Sequence, residues 1–318
     1  MKNISAKDLL VDYSISNEND LFESDLLAQQ LLDEFGCFLA KGLLNNGEID
    51  LIHHDIRQLI SLRMQRTGLK KETLVDKLSQ FDDGLQILRQ LESAYVNELM
   101  SKDIVNYQTS NQLEYAHSEV IANACRTLLS VQQINVHSEL VRLSKKLMST
   151  STVMVHMSYD LRVDYPYGDR YLFPWHQDYP VIQDSEDALV YWIPLRDVGE
   201  ENGCLHVAPG SHRMGVLPQL PQREEDAASA TIPDDSILSQ FPRIRVPMFS
   251  GDVLVFSTLM LHASGTNRSN YPRWSLQVRH GNFEHPKAIL RNWPNSSVWN
   301  VPFQESHPEY VIEERNSE

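Results

Sequence analysis

The chain has 318 residues, of which 42% are hydrophobic and 22% are charged, as in an ordinary globular protein. Its formal net charge of −15 at pH 7 disfavours general binding to nucleic acid or to anionic membranes, because those partners are themselves negatively charged. No apolar run approaches the length of a membrane span, and residues 1–8 lack the apolar core of a secretory signal. The 3 cysteines are scattered and odd in number, so we expect no disulfide framework and a cytoplasmic protein.

The first half of the chain is dominated by helical periodicity. We predict a first amphipathic helix from Asp25 to Leu32, followed by a short apolar strand over residues 35–40. Asn46 is a suitable cap for a second helix, and leucine spacings of three or four residues predict further helices over about 70–148.

No repeat or low-complexity linker divides the chain, so we predict a single domain over residues 1–318. Residues 1–150 would be its mostly helical N-terminal part, packed on a sheet formed by residues 151–285. Residues 286–318 would be a C-terminal tail in which Trp293 and Trp299 pack against the domain.

The second half alternates apolar and polar residues between turns, as antiparallel strands do. From Thr152 to Asp164 the apolar side chains share one face and the polar ones the other. The polar face either meets solvent or lines the mouth of a barrel, in which case Arg162 would touch substrate or co-substrate. Many such strands predict a mainly β fold, namely a double-stranded β-helix (a cupin-like jelly roll) flanked by α-helices.

The region 216–243 interrupts this rhythm with prolines, alanines, serines and acids. Loops of this length in a compact domain are usually functional or disordered. We therefore predict a lid over a nearby pocket.

A candidate metal site lies in the segment from Phe173 to Pro180, which is aromatic and extended in character. Side chains alternate along a strand, so His176 and Asp178 would point the same way and Gln177 the other way. One imidazole and one carboxylate are two thirds of the 2-His-1-carboxylate set that holds Fe(II).

The same spacing elsewhere in the chain does not support a metal site. The pair His53 and Asp55 lies in a segment with helical periodicity, where residues two apart occupy nearly opposite faces. The expected strand context is what distinguishes His176 and Asp178 from this pair.

The third ligand is expected from a distant strand that returns beside the first. Residues 249–257 form an apolar strand after a Gly-Asp turn, and His262 follows shortly after it. Eleven residues beyond His262, Arg273 opens another alternating strand, and its guanidinium is suited to clamp a carboxylate.

Together these segments resemble the phytanoyl-CoA dioxygenase-like family of Fe(II)/2-oxoglutarate oxygenases. The matching motifs occur in the family's order: Trp-His-Gln-Asp at 175–178, Asn-Gly-Cys-Leu-His-Val-Ala-Pro-Gly-Ser-His at 202–212, Gly-Asp at 251–252, and His262-x-Ser264 followed by Arg273. The resemblance covers about residues 150–285 and is weaker around 34–44.

This resemblance implies the cofactor set and the roles of particular residues. His176, Asp178 and His262 would bind Fe(II), and Arg273 would bind the distal carboxylate of 2-oxoglutarate, helped by Ser264 and Trp192. O₂ would be consumed, and succinate and CO₂ would be released. Because halogenases of this type replace the iron carboxylate with a small residue, Asp178 predicts hydroxylation or another oxidation.

The substrate is predicted to be a small or medium polar metabolite: saccharide-linked, amino-acid-derived or a natural-product intermediate. Arg162, Tyr179 and His280 are the candidate substrate residues, and Arg279 is an alternative to His280. Acyl-CoA hydroxylation, as in the family's namesake, is an alternative activity that the acidic charge balance disfavours. A catalytically silent jelly roll that serves in binding is a third interpretation.

Overall fold

The structure is a computed structural model that describes residues 4–14, 17–66, 124–156, 160–169, 172–218, 235–293 and 301–311. Two β-sheets form the centre of the described chain. Their strands are β1 (Leu10–Asp12), β2 (Cys37–Lys41), β3 (Val153–Val155), β4 (Asp160–Asp164), β5 (Leu189–Pro194), β6 (Leu205–Val207), β7 (Ile244–Val246), β8 (Val253–Ser257), β9 (His262–Ala263) and β10 (Arg273–Asn282).

The larger sheet has the strand order β1-β2-β8-β5-β10-β3, and β4 also pairs with β10. The smaller sheet has the order β7-β6-β9. Apart from the parallel pair β1 and β2, the paired strands are antiparallel. One apolar core contains Val190 and Phe256 of the larger sheet together with Val207 and Val246 of the smaller one, so the two sheets pack face to face. This arrangement confirms the predicted jelly-roll core.

Helices cover the other face of the larger sheet. They are α1 (Glu18–Phe35), α2 (Asn46–Arg66), α3 (Leu129–Asn135) and α4 (Ser138–Leu147); shorter helices, placed elsewhere in the chain, are α5 (Tyr179–Ile182), α6 (Asp235–Leu238), α7 (Pro286–Leu290) and α8 (Phe303–Ser306). A second apolar core joins Ile52 and Leu143 of the helices to Tyr191 and Trp274 of the sheet. The strand face on which a side chain lies therefore decides whether that side chain packs against the helices or points into the space between the two sheets.

The helix starts differ from those expected from the sequence. Helix α1 begins at Glu18, seven residues before Asp25, because the Asn17 side chain accepts a hydrogen bond from the Asp20 amide. For α2, Asn45 and not Asn46 provides the cap, since its side chain accepts from the Glu48 amide while Glu48 accepts from the Asn45 amide. The helices predicted between 70 and 123 lie outside the described residues.

Only the ends of the predicted lid are described. Residues 235–243 contain the short helix α6, whose Leu238 packs with Ala208, Leu217 and Leu261. The remainder, 219–234, lies outside the described residues, as does Trp299 of the tail. Trp293 donates its indole N–H to the Phe283 carbonyl at 2.9 Å, which ties the start of the tail to the end of β10.

Residues 301–311 dock against helix α5. The hydroxyl of Tyr179 lies 2.9 Å from Nε2 of His307 and accepts a hydrogen bond from Arg291 at 3.0 Å. Nδ1 of His307 lies 2.7 Å from the Ser306 hydroxyl, and the Phe303 ring stacks on the imidazole. Both imidazole nitrogens of His307 are therefore engaged.

Over the described ranges, every helix is either too short or too polar to cross a lipid bilayer.

A buried carboxylate connects α1 to α4 and predicts a large effect on stability. Asp25 accepts from Arg142 at 2.6 and 3.2 Å, from Lys146 at 2.8 Å and from the Tyr13 hydroxyl at 3.1 Å. We expect Asp25→Ala to lower the free energy of unfolding by about 3 kcal/mol, because it leaves these donors without their shared acceptor. Urea denaturation at neutral pH measures this change.

The matched control is Asp169→Ala, which removes an exposed carboxylate paired with Arg268. An exposed pair contributes about 0–1 kcal/mol, so the control should barely move the urea midpoint. Equal losses in the two variants would contradict the role assigned to Asp25.

The environment of His307 predicts a pH-dependent stability. Burial, and then the charge of Arg291, lowers the pKa of His307 from 6.5 to about 4. As the pH falls, His307 binds a proton in the unfolded chain before it does so in the folded protein. The contribution of His307 to the free energy of unfolding should therefore be fully present above about pH 6.5 and should decline as the pH falls toward 4. Urea midpoints measured between pH 7 and pH 4 should show a smaller decline for His307→Gln.

Substituting His54, which is exposed on α2, provides the control for that experiment. His54→Gln should retain the wild-type pH dependence. A His307→Gln profile that superimposes on wild type would show that His307 does not control this decline.

Candidate metal centre

The site is built on a two-residue backbone bridge between distant segments. The amide of His176 donates to the His262 carbonyl at 3.0 Å, and the amide of His262 donates to the His176 carbonyl at 3.1 Å. Residues directly opposite each other in an antiparallel bridge project their side chains to the same side. The two imidazole rings accordingly lie 4.2 Å apart between centroids.

Both imidazoles are oriented by backbone carbonyls. Nδ1 of His176 lies 2.7 Å from the Pro174 carbonyl, and Nδ1 of His262 lies 3.1 Å from the Met260 carbonyl. A carbonyl only accepts, so Nδ1 carries the proton in each ring and Nε2 presents a lone pair. These two Nε2 atoms are the natural metal-binding atoms.

Asp178 supplies the third donor. Its Oδ1 lies 3.3 Å from Nε2 of His176 and 3.6 Å from Nε2 of His262. The ligand atoms of the three residues all lie within 4.8 Å of one another, and all three residues are buried. Among the described residues, this is the cluster of His, Cys, Asp or Glu side chains that could hold a metal ion.

The protonation states suit a metal. Burial would raise the pKa of Asp178, but the neighbouring guanidinium of Arg279 holds it well below its ordinary value. Burial and the neighbouring His176 ring lower the pKa of His262 to about 3. Metal ligands must be an ionised carboxylate and neutral imidazoles, so these residues fit a 2-His-1-carboxylate iron centre.

The expected strand around the first two ligands is shorter than predicted. His176 alone forms a bridge, and Asp178 already has helical backbone angles (φ −75°, ψ −28°) at the start of α5. Pro180 therefore lies in the first turn of a helix and does not end a strand. The alternation still holds, because Gln177 points away and donates to the carbonyls of Gly215 and Leu259 at 2.9 and 2.6 Å.

Arg273 lies on the strand face that meets the space between the sheets. It donates to Asp164 through Nε at 3.3 Å and Nη2 at 2.7 Å, and Nη1 donates to the carbonyls of Gly203 and Gly265. Both charged side chains are buried. Gly203 and Gly265 approach so closely that a Cβ on either residue would overlap the backbone of the other segment.

The other predicted co-substrate residues lie around Arg273 and His176. Trp192 places its ring 6.0 Å from the Arg273 guanidinium carbon. The Ser264 hydroxyl accepts a hydrogen bond from the Phe173 amide at 3.3 Å. The Phe173 ring in turn lies 5.3 Å from the His176 ring, so Ser264 is connected to the donor atoms through Phe173.

Arg162 is on the same strand face as Arg273. It pairs across β4 and β10 with Ser275, donates to Asp164 at 2.8 Å, and stacks over Phe173 at 4.4 Å. The polar face of this strand therefore meets the interior between the sheets and not solvent, while contact of Arg162 with substrate or co-substrate stays a prediction. The predicted single strand over 152–164 is divided into β3 and β4, with 157–159 outside the described residues.

The other two predicted substrate residues lie away from the donor atoms. Tyr179 is buried against residues 301–311, as described above, because the helical turn that starts at Asp178 directs it there. His280 lies on the helix-facing side of β10, where Nδ1 contacts Ser144 at 2.7 Å and Nε2 contacts the Asn135 carbonyl at 2.8 Å. These positions do not agree with the predicted substrate contacts.

Two charged residues, Asp164 and Arg279, make contacts at the site that the residue pattern did not predict. Asp164 holds both Arg162 and Arg273, and Arg279 contacts the proposed iron ligand Asp178 at 2.9 Å. Alternation along β10 from Arg273 would have placed Arg279, and not His280, on the site face.

The family model described as Phytanoyl-CoA dioxygenase (PhyH) matches residues 32–275. A "Probable phytanoyl-CoA dioxygenase" of Caenorhabditis elegans is 30% identical over 112 residues, which cover 34% of this chain and 36% of that protein. A "1-deoxypentalenic acid 11-beta-hydroxylase" of Streptomyces exfoliatus is 33% identical over 141 residues, which cover 40% of this chain and 48% of that protein. The chain thus matches between about a third and a half of the length of these relatives.

Among solved structures, one similar chain is the epimerase SnoN in complex with Fe3+, alpha ketoglutarate and nogalamycin RO. It is 18% identical with a TM-score of 0.51, and the match covers 88% of this chain and 93% of that one. At this identity the similarity shows the fold alone.

The family model covers well over half of the chain, and its span includes all three ligand candidates and Arg273. The chain therefore belongs to the phytanoyl-CoA dioxygenase (PhyH) family.

Proposed function

We propose that this protein is an Fe(II)/2-oxoglutarate-dependent dioxygenase that hydroxylates a C–H bond of a small or medium polar metabolite. The observation that carries the proposal is the convergence of two imidazole nitrogens and one carboxylate oxygen, all buried, from His176, His262 and Asp178. This donor set suits non-haem iron and leaves positions open for a co-substrate and O₂. Iron with 2-oxoglutarate and O₂ supplies the oxidation itself, with release of succinate and CO₂.

The protein contributes position and protonation state to this chemistry. The Pro174 and Met260 carbonyls fix the tautomers of His176 and His262, so each presents an unprotonated Nε2. The low pKa of Asp178 keeps the third donor ionised over the physiological range. The burial of all three side chains limits the access of bulk water to the reaction.

Arg273 is proposed to bind the distal carboxylate of 2-oxoglutarate. Its guanidinium is already held by Asp164 and by two backbone carbonyls, so little side-chain freedom remains to be lost on binding. Asp164 also contacts Arg162. Because two guanidinium groups share this one carboxylate, the three side chains together carry a net positive charge. A carboxylate entering here would share Arg273 with Asp164, beside Trp192 and Ser264.

The substrate class is proposed from charge and from the names of relatives. One relative is named as a hydroxylase of 1-deoxypentalenic acid, and the SnoN complex contains nogalamycin RO. Arg162 is the substrate-side residue that lies near the donor atoms, through its stacking on Phe173. The net charge of −15 disfavours a substrate with several phosphates, although several relatives are named phytanoyl-CoA dioxygenases.

Two further properties follow from the composition. Three buried free cysteines suit a reducing compartment, so we propose a cytoplasmic location. The acidic charge balance favours a small-molecule partner over nucleic acid or an anionic membrane.

An anaerobic titration of the metal-free protein with Fe(II) and 2-oxoglutarate tests the proposed function. The wild-type protein should develop the weak visible charge-transfer band of the iron–2-oxoglutarate chelate. His176→Ala should abolish the band, because a ligand is lost. Arg273→Ala should raise the 2-oxoglutarate concentration needed by about tenfold to a hundredfold, since hydrogen bonds to charged groups contribute roughly 1.5–3 kcal/mol.

Matched controls are available for both substitutions. His53→Ala removes a histidine of α2 that contacts the Leu195 carbonyl, and Arg268→Ala removes an exposed arginine paired with Asp169. Neither should alter the band. A folded wild-type protein that gives no band would overturn the oxygenase proposal and favour a silent, ligand-binding jelly roll.

Succinate formation then separates the two candidate substrate classes. Small carboxylated metabolites should stimulate succinate release above the substrate-free rate, and long-chain acyl-CoA thioesters should not. Stimulation by an acyl-CoA alone would replace the metabolite proposal with the activity named for the family.

A further inference from the structure

Arg279 is fixed on the site face of β10. Its carbonyl accepts from the His156 amide at 3.0 Å, and its position in the ladder pairs it with Val190 of β5. Its side chain is only 7% exposed. Nε donates to Oδ2 of Asp178 at 2.9 Å, and Nη2 donates to the Gln277 side chain at 2.6 Å.

The two oxygens of Asp178 therefore have different surroundings. Oδ1 faces the Nε2 atoms of His176 and His262, at 3.3 and 3.6 Å. Oδ2 accepts a charge-assisted hydrogen bond from Arg279, which is among the stronger contacts a carboxylate makes. A carboxylate can bind a metal through one oxygen or through both, and the second mode removes one further open position.

We propose that Arg279 is a positioning residue that restricts Asp178 to binding iron through Oδ1 alone, and so keeps a coordination position open for the co-substrate. This inference rests on the proposed function and goes beyond the ligand set. Arginine suits the task because its planar group reaches Asp178 and Gln277 in two directions at once. A lysine ammonium has no such fixed fork and would leave Oδ2 less firmly held.

Loss of the Arg279 guanidinium should affect the metal affinity and the 2-oxoglutarate affinity differently. In Arg279→Gln, Oδ2 is released toward the metal, and a positive charge beside the site is lost. Metal affinity should therefore stay equal to wild type or increase. The affinity for 2-oxoglutarate should fall by about tenfold or more, within the range usual for groups that orient metal ligands.

The experiment uses Co(II) as the metal probe and the metal-free protein of 318 residues. Titration with Co(II) alone gives the metal affinity and the visible ligand-field spectrum, whose band positions and intensity depend on the ligand set and on the distortion of the coordination geometry. Titration of the Fe(II)-loaded protein with 2-oxoglutarate under anaerobic conditions gives the co-substrate affinity. Arg279→Lys is measured beside Arg279→Gln and should lie between it and wild type, and Arg268→Gln is the matched exposed control.

The expected result is a changed Co(II) spectrum in Arg279→Gln, with unreduced Co(II) affinity and weakened 2-oxoglutarate binding. An unchanged Co(II) spectrum would overturn the inference, and so would a parallel loss of both affinities, which indicates general damage to the site. If Arg279→Gln does not fold, Gln277→Ala keeps the charge but releases one end of the guanidinium. That variant should weaken 2-oxoglutarate binding in the same direction, and wild-type behaviour would overturn the inference.

Failure of the inference and failure of the proposed function give different results. If wild type itself forms no chelate band with Fe(II) and 2-oxoglutarate, the oxygenase proposal fails. If wild type forms the band and Arg279→Gln matches it in both spectra and both affinities, only the role of Arg279 is withdrawn.

Discussion

The reciprocal backbone hydrogen bonds between His176 and His262 are the contact on which the site depends. They join two segments more than eighty residues apart in sequence and place two imidazoles on one side of the chain. The jelly roll makes this possible because its two sheets return distant strands to one another, and β9 carries His262 at the edge of the smaller sheet. The iron-type donor set is therefore a property of the topology as much as of the residues.

The two faces of the larger sheet separate two kinds of core. The helix side is largely apolar around Trp274 and Leu276, and its buried polar groups contact one another around Tyr191, Ser144 and His280. The side between the sheets admits charged residues at its β4 and β10 end. Buried charges persist only where each has a partner, and here Asp164 and Asp178 each hold arginine guanidinium groups. The pair Asp178 and Arg279 lies at the donor atoms, and the pair Asp164 and Arg273 lies on the same face of β10.

How much the sequence predicts depends on whether a feature is local. His176, Asp178 and His262 were identifiable as one candidate cluster because their spacing and apolar flanks are visible in the chain, and the jelly roll followed from alternation. Tyr179 was misplaced because the change from extended to helical backbone at Asp178 is not visible in residue types. The position of His280 was recoverable, since it is an odd number of residues from Arg273 and must lie on the opposite face.

The pairing of Asp164 with Arg273 could not be read from either segment alone. It depends on the register of β4 against β10, which places these two residues directly opposite each other, and a shift of one residue would have separated them. Register is fixed by the whole sheet, whereas alternation is fixed by each strand. For this reason sequence patterns located the candidate metal ligands, while the contacts that orient Arg273 required the assembled fold.

Gln177 shows how one short motif can serve chemistry and folding together. His176 and Asp178 point to the shared donor space, while the side chain between them donates to Gly215 and Leu259 and accepts from the Leu217 amide. Leu259 lies three residues before His262, so this amide connects the segment of the first two candidate ligands to the segment that carries the third. Alternation thus gives the motif two faces: one presents ligands, and the other holds the backbone that aligns them.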